Sequence, residues 1–301
     1  MPEWAADTTV DAARARRLIG RCFPALATAA LEPLGEGWDV TAWLVGGSWV
    51  FRFPRREVVV PGFRRELELL PRLAPLLPIA VPVPELIGDP GCGYPWPFAG
   101  ARHLPGVELA GADLDVPARA AVGRSLGEFL RALHAVDPGF GGSILLDDPL
   151  ERGHPAARAD RLSERLGELV RCGLWQAPTA LVRTLDRANR LPRPRPEAIV
   201  HGDLHVRQVL VAGGRAAGVI DWVDVCRGDP GLDLALYWAG FDPPARAGFL
   251  AAYGDVAEHS MLRARSLAVY LSAALAAYAH AERLGALLVG ALAALDRCAA
   301  D

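Results

Sequence analysis

Ile199-Val200-His201-Gly202-Asp203-Leu204-His205-Val206-Arg207-Gln208-Val209-Leu210, followed by Gly218-Val219-Ile220-Asp221-Trp222, is the stretch that decides the fold of this chain. Val209-Leu210-Val211 and Ala217-Gly218-Val219-Ile220 are short apolar runs around Ala212-Gly213-Gly214-Arg215-Ala216, which predicts strand, turn and strand. Antiparallel pairing then sets Gln208 and Asp221 roughly 5 Å apart at the open end of the hairpin. A hard cation suits that place, because Mg²⁺ takes oxygen ligands and is held by one or two protein groups plus phosphate oxygens. Asp203 lies just outside the hairpin, where a carboxylate can take a proton from an attacking hydroxyl, and Gly202 permits the turn that presents it. The alternative is a surface hairpin flanked by solvated carboxylates.

The two segments resemble those of the aminoglycoside/macrolide phosphotransferases, small-molecule kinases related in fold to eukaryotic protein kinases. That family carries H-G-D-x-x-x-x-N and an I-D-W or I-D-F segment; His201-Gly202-Asp203 and Ile220-Asp221-Trp222 match, with the two aspartates at a spacing of 18. Gln208 departs from the family's usual Asn or His, yet it still offers a carbonyl oxygen on a longer arm. The resemblance implies an α+β, protein-kinase-like two-lobe fold. A small N-terminal lobe with an antiparallel sheet, residues 1–104, binds nucleotide, and a larger, mostly helical lobe, residues 105–301, carries catalysis and the acceptor.

Further expectations follow in chain order. Leu34-Gly35-Glu36-Gly37-Trp38 reads as a glycine-bearing loop, with Gly35 and Gly37 as nucleotide-binding candidates or as plain turn residues; Val40 stands where a third glycine would be. Kinases use a basic residue on the following strand to hold the nucleotide phosphates and pair with a helix glutamate. The chain has no lysine, its 32 basic residues being arginine, so Arg52 takes that role, with Glu66 as partner. In Arg52-Phe53-Pro54-Arg55-Arg56 the sequence resembles a macrolide phosphotransferase run. Pro95–Gly106 resembles the last strand and hinge, so the backbone of Arg102, His103 and Leu104 is expected to meet the nucleotide base. Asp233 is expected to brace the catalytic loop, Asp229 to cap the next helix, His201 and His205 to act as loop braces, and His134 to cap its own helix.

Absence of lysine excludes Schiff-base and Walker-A chemistry. A net charge of −3 leaves no electrostatic footprint for nucleic acid. The five cysteines are scattered without a C-x-x-C spacing and read as reduced thiols of a cytoplasmic protein. Met1–Asp7 does not read as a signal peptide. The apolar stretch Leu267–Ala279 is too short to span a bilayer, so no membrane partner is expected. Helices are predicted over residues 8–19, 63–76, 118–135, 160–171 and 178–190, with a last pair near the C-terminus.

These readings predict a phosphotransferase with an alcohol group as acceptor, using ATP or GTP and Mg²⁺, as a monomer or weak homodimer. Asp203 is the base; Asp221 and Gln208 hold the metal. The expected acceptor is an antibiotic, an aminoglycoside ahead of a macrolide. Asp224, Asp229, Asp242, Asp255 and Glu258 would meet a polycation, whereas Trp175, Trp222, Tyr237, Trp238 and Phe241 would line a macrolide groove. Asp203, Asp224, Trp222 and Trp238 are therefore substrate-binding candidates, although both tryptophans also fit a core. A metabolite kinase with a choline- or homoserine-like acceptor, and a nucleotide-binding pseudoenzyme, are the alternatives.

Overall fold

The computed structural model describes residues 6–37 and 39–300. The first five residues of the N-terminal stretch, and Trp38 of the glycine-bearing turn, lie outside the described residues. The chain forms two compact units: Met1–Leu76 with Ala80–Pro105 and Gly218–Val223, and Leu77–Ile79 with Gly106–Ala217 and Asp224–Asp301. One boundary falls at Pro105, one residue from the expected lobe limit, but the segment around Asp221 groups with the first unit.

The first unit contains α1 (Ala12–Cys22), β1 (Leu31–Glu36), β2 (Val40–Val45), β3 (Trp49–Pro54), α2 (Val60–Leu73), β4 (Pro84–Gly88) and β5 (Phe98–Arg102). Its antiparallel sheet has the order β1-β2-β3-β5-β4. Side chains alternate along β3, so Phe51 and Phe53 go to one face and Arg52 to the other. Phe51, Phe53, Tyr94 and Phe98 build a core with Leu18 and Ile19 of α1, and the Phe53 and Phe98 rings stack with centroids 4.8 Å apart. On the opposite side, Phe63 of α2 packs with Ala99 of β5 and Val223. Arg52 pairs with Ala99 in register, which puts its side chain on the α2 side of the sheet.

Two helix starts differ from the sequence reading by three residues or more. Helix α1 begins at Ala12 because the Asp11 carboxylate accepts the Arg14 N–H at 2.7 Å and fixes the cap, four residues beyond the expected start. Helix α2 begins at Val60, since Pro61 sits in its first turn, where a missing N–H costs nothing, and a short 3-10 turn over Ala74–Leu76 takes up its expected end.

The second unit contains β6 (Val107–Glu108), α3 (Val116–His134), α4 (Ala159–Arg171), α5 (Thr179–Asn189), β7 (Ala198–Val200), β8 (Val209–Ala212), β9 (Arg215–Val219), β10 (Cys226–Gly228), α6 (Gly231–Gly240), α7 (Pro243–Tyr253), α8 (Glu258–Ala281) and α9 (Gly285–Ala299). Leucines of α4 and α5, Val200 of β7, and the apolar faces of α6, α8 and α9 form its core. Among the described residues no helix is long and apolar enough to cross a membrane. The predicted hairpin is present but shorter at its turn: Gly213-Gly214 alone join β8 to β9. Gln208 directly precedes β8, and β9 ends at Val219, one residue earlier than expected, so Asp221 lies two residues past its end.

Candidate active site

In the first unit, three of the expected residues meet. Arg52 Nη1 pairs with Glu66 Oε1 of α2, and Arg52 Nη2 lies 3.0 Å from Asp221 Oδ1. The guanidinium also stands over the Phe63 ring, 5.7 Å from its centroid. Burial works against the Arg52 charge, but Glu66, and then Asp221, more than offset it, so the pKa rises. The Glu66 side chain is 3 % exposed and that of Asp221 is 44 % exposed, so the first carboxylate anchors the arginine while the second keeps a face toward solvent. Asp221 holds φ at +69°, in the left-handed region, where a non-glycine residue is held under strain of about 1–3 kcal/mol. Its segment is tied to this unit by Val219 N–H to the Ala80 carbonyl at 3.0 Å. A close approach of α2 contributes too: a Cβ on Gly62 would fall 2.3 Å from the Val223 carbonyl oxygen.

The glycine turn offers less than the sequence suggests. Gly35 sits in β1 near a register shift, and Gly37 already gives its N–H to the Val40 carbonyl at 3.0 Å. Neither has a positive φ, and a Cβ on Gly35 would meet nothing within 4 Å. In the hinge stretch, Arg102 lies over the Trp49 ring at 3.8 Å, and the His103 N–H is engaged by the Ser48 carbonyl at 2.9 Å. That amide is thus occupied; His103 is exposed and Leu104 half-buried.

In the second unit the loop around Asp203 hangs from one buried carboxylate. Asp233 of α6, fully buried, accepts the His201 N–H at 2.8 Å and the Gly202 N–H at 3.0 Å. It also bonds His134 Nε2 at 3.1 Å, while His134 Nδ1 meets the Tyr253 hydroxyl at 2.8 Å. His134 therefore does not cap its helix; its side chain links α3 to α6 and α7 through Asp233 and Tyr253. Burial, with Asp233 and Asp229 adding to it, pushes the Tyr253 hydroxyl pKa up. Gly202 has φ +88°, and a Cβ there would sit 2.3 Å from the Asp224 carbonyl oxygen, so the loop needs glycine on two counts. Asp229 stands one residue before the cap position of α6, accepts the Gly231 N–H at 2.8 Å and pairs with Arg263 at 3.1 Å. The His201 and His205 rings stay within the loop: His201 Nδ1 is 3.4 Å from the Asp203 N–H nitrogen, and His205 Nδ1 accepts from Arg207 at 3.2 Å.

Asp203 itself lies on a residue that the sequence reading missed. Arg152 donates through Nη1 to the Gly202 carbonyl and to Asp224 Oδ2, both at 2.9 Å, and its Nη2 stands 3.6 Å from Asp203 Oδ1. Burial opposes its charge; Asp203, then Asp224, outweigh that and raise its pKa. Arg152 lies 50 residues upstream of Gly202 in an aperiodic loop, so no local pattern marks it. The one local sign is backbone strain, since Glu151 before it has φ +49°.

Two substrate-binding candidates need correction. Trp222 is fully buried and donates its ring N–H to the Val219 carbonyl at 2.9 Å, so it is a core side chain. Trp238 packs between two guanidinium groups, with Arg246 Cζ 4.5 Å and Arg265 Cζ 4.4 Å from its ring, and belongs to the helical core.

The Mg²⁺ that the sequence resemblance implies can be tested against single residues. Gln208 is buried, and its Oε1 has no hydrogen-bond partner among the described residues. An orphaned carbonyl oxygen is costly unless something binds it, and a hard cation does so. The exposed Asp221 carboxylate is likewise a suitable oxygen donor.

Comparison with known proteins agrees with this geometry. The model of the phosphotransferase enzyme family matches residues 30–268. Homoserine kinase of Pseudomonas aeruginosa is 34% identical over 177 residues, which cover 52% of this chain and 54% of that protein, so the chain spans about half the length of these relatives. Among solved structures, the GDP and kanamycin complex of APH(2")-IIia shares the fold with a TM-score of 0.70 at 22% identity, over 94% of this chain and 97% of that one. The macrolide 2'-phosphotransferase MphH of Brachybacterium faecium, an apoenzyme, gives a TM-score of 0.57 at 26% identity, over 89% and 92%. With a protein-kinase-like α+β fold and a family match over most of its length, the chain belongs to the phosphotransferase enzyme family.

Proposed function

We propose that the protein transfers the γ-phosphoryl group of ATP or GTP to a hydroxyl group of a small molecule. The observation that carries this reading is Arg52, held at once by the helix glutamate Glu66 and by the strained, half-exposed Asp221. A basic strand residue anchored in this way steadies nucleotide phosphates in kinase-like sites. Asp203 orients the acceptor hydroxyl and takes its proton. Asp221 and Gln208 each offer an oxygen to Mg²⁺, which when bound neutralises charge on the phosphate oxygens. Phosphoryl transfer relies on positioning and charge, so these few groups suffice.

The expected aminoglycoside has weaker support than the reaction itself. Of the five acids on which it rests, Asp224 pairs with Arg152, Asp229 with Arg263 and Glu258 with Arg187. Asp242 caps α7, accepting the Ala245 N–H at 3.2 Å. A polycation would have to displace these partners. The macrolide groove fares no better, because Trp222 and Phe241 are fully buried and Trp175 donates to Asp296 at 2.7 Å. A smaller metabolite alcohol is the acceptor reading that these contacts favour, and the homoserine kinase relatives agree with it. Nucleotide turnover against aminoglycosides, macrolides, amino alcohols and hydroxy acids tests the proposal. Turnover with one acceptor class supports it, and nucleotide binding without turnover on any would identify a nucleotide-binding module instead.

A further inference from the structure

A second group of arginines, which the reaction as described does not use, lies just downstream of Arg152. His154 precedes a 3-10 turn over Pro155–Arg158 that leads into α4. His154 and Arg158 flank the 3-10 turn, while Leu162, Arg165 and Leu169 recur at helical spacing along α4, with Leu162 and Leu169 buried in the core. The polar side chains of this segment bring nitrogen atoms inside that have no partner among the described residues. Arg158 is 9% exposed and makes one hydrogen bond, from Nη1 to the Glu151 carbonyl at 3.0 Å. Its Nε and Nη2 are buried without a hydrogen-bond partner among the described residues, as are Arg165 Nη1 and His154 Nδ1.

Two other buried arginines of this unit, Arg263 and Arg265, are answered more fully. Arg263 pairs with Asp229 and donates to the Gly153 and Pro192 carbonyls. Arg265 donates to the carbonyls of Cys298, Ala299 and Ala300. No carboxylate pairs with Arg158 or Arg165 among the described residues. Both guanidinium groups instead lie against one ring, that of Tyr270 in α8, with Cζ 5.3 Å and 4.5 Å from its centroid. Burial, with the Arg152 charge adding to it, pushes the Arg158 pKa down to about 10, against the opposing pull of Tyr270 and Asp148. It therefore remains a cation at neutral pH.

The open atoms of Arg158 have a definite shape. Nε and Nη2 lie on the same edge of the guanidinium, and that edge donates two parallel hydrogen bonds to the two oxygens of a carboxylate. Arg158 bonds the carbonyl of Glu151, the residue directly before Arg152, and Arg152 stands 3.6 Å from Asp203.

We propose that Arg158, with Arg165 on the ring of Tyr270, binds the carboxylate of the acceptor, which is thus a small hydroxyl-bearing organic acid. That the ligand is the acceptor rests on the phosphotransferase reading; that the site takes an anion does not. The fork of Arg158 holds the two oxygens, Arg165 adds a second charge, and the tyrosine ring excludes water from one side.

The experiment titrates the full chain with homoserine, γ-hydroxybutyrate, γ-hydroxybutyramide and inorganic phosphate, read by calorimetry and by thermal unfolding. Wild type, Arg158→Met and Arg165→Gln are compared. Removing an incompletely satisfied buried charge is often neutral or stabilising, so Arg158→Met is expected to fold; Arg165→Gln, at a half-buried position, is the second route. The carboxylates should bind and raise Tm, the amide should not, and Arg158→Met should weaken carboxylate binding roughly 10-fold or more, with a smaller loss in Arg165→Gln. In turnover, the acceptor KM should rise in both variants while the nucleotide KM stays put. Equal carboxylate affinity in wild type and both variants, no carboxylate binding at all, or binding of phosphate alone would each overturn the proposal. Transfer to a neutral or cationic alcohol with an unchanged KM in Arg158→Met would also overturn it, while leaving the phosphotransferase reading intact. Carboxylate binding that depends on Arg158, without transfer to any acid, would support the anion site and count against the reaction.

Discussion

The cluster around Arg52 and the loop around Asp203 organise their acids in opposite ways. In the first unit a side chain does the organising: one guanidinium holds Glu66 and Asp221, and the backbone contributes a strained φ at Asp221. In the second unit the backbone is what is held, since Asp233 fixes the His201 and Gly202 amides and Arg152 fixes the Gly202 carbonyl. Charge pairs between side chains tolerate small movements of their elements. A carboxylate bonded to two successive amides does not, because both bonds depend on the local φ and ψ. The Asp203 loop is thus expected to be the geometrically stricter part, and the Arg52 cluster the electrostatically stricter one.

The largest effect expected is at Asp203, whose proposed work is on the acceptor alone. Asp203→Asn should lower kcat roughly 10²-fold or more and leave Mg-nucleotide affinity within a few fold. Steady-state kinetics beside a nucleotide titration decides it, and near-full turnover would remove Asp203 as the base.

Asp233→Ala asks whether the loop is really held by its backbone. The substitution leaves two buried amides without an acceptor, each costing about 1–3 kcal/mol. A drop in denaturant midpoint together with lost turnover is expected, even though Asp233 touches no substrate in the proposed reaction. A variant of wild-type stability with full activity would show that Asp233 does not hold the loop.

Much of this was readable beforehand, and the reasons differ by region. Asp203, Asp221 and Arg52 stand out because each lies on or beside a short strand with an apolar run, and period-two alternation tells which side chain faces away from the core. Glu66 follows from Arg52 by charge. Arg152 was not readable: its contacts span 50 and 72 residues of sequence and depend on a loop without periodicity. Trp222 and Trp238 misled for another reason, since aromatic side chains suit a binding groove and a core equally and only burial separates the two. His134 looked like a helix cap by position, yet its ring bonds were fixed by Asp233 and Tyr253, both distant in sequence.

Arg52→Met tests the electrostatic half of the comparison. It leaves the buried Glu66 carboxylate without its guanidinium, and breaking a buried pair in this way costs about 3–5 kcal/mol. The nucleotide KM should rise, with acceptor KM little changed. Glu66→Gln keeps the shape and should have a weaker effect in the same direction, because the glutamate acts through the arginine. If Glu66→Gln raised the nucleotide KM more than Arg52→Met, the order of dependence proposed here would be reversed.

The smallest effect expected is at Gln208, and it separates metal binding from structural satisfaction. Its buried Oε1 has no partner among the described residues, so a cation would supply the missing interaction. Gln208→Ala removes the oxygen and should raise the Mg²⁺ concentration needed for half-maximal turnover several-fold while sparing activity at saturating Mg²⁺. Gln208→Asn shortens the arm but keeps the carbonyl, and should stay active with an altered preference between Mg²⁺ and the larger Mn²⁺. A purely structural glutamine would behave differently: Gln208→Ala would then change Tm and leave the Mg²⁺ dependence where it was. Wild-type behaviour of Gln208→Ala at limiting Mg²⁺ would exclude the glutamine as a ligand and leave Asp221 as the protein's one proposed contact to the metal.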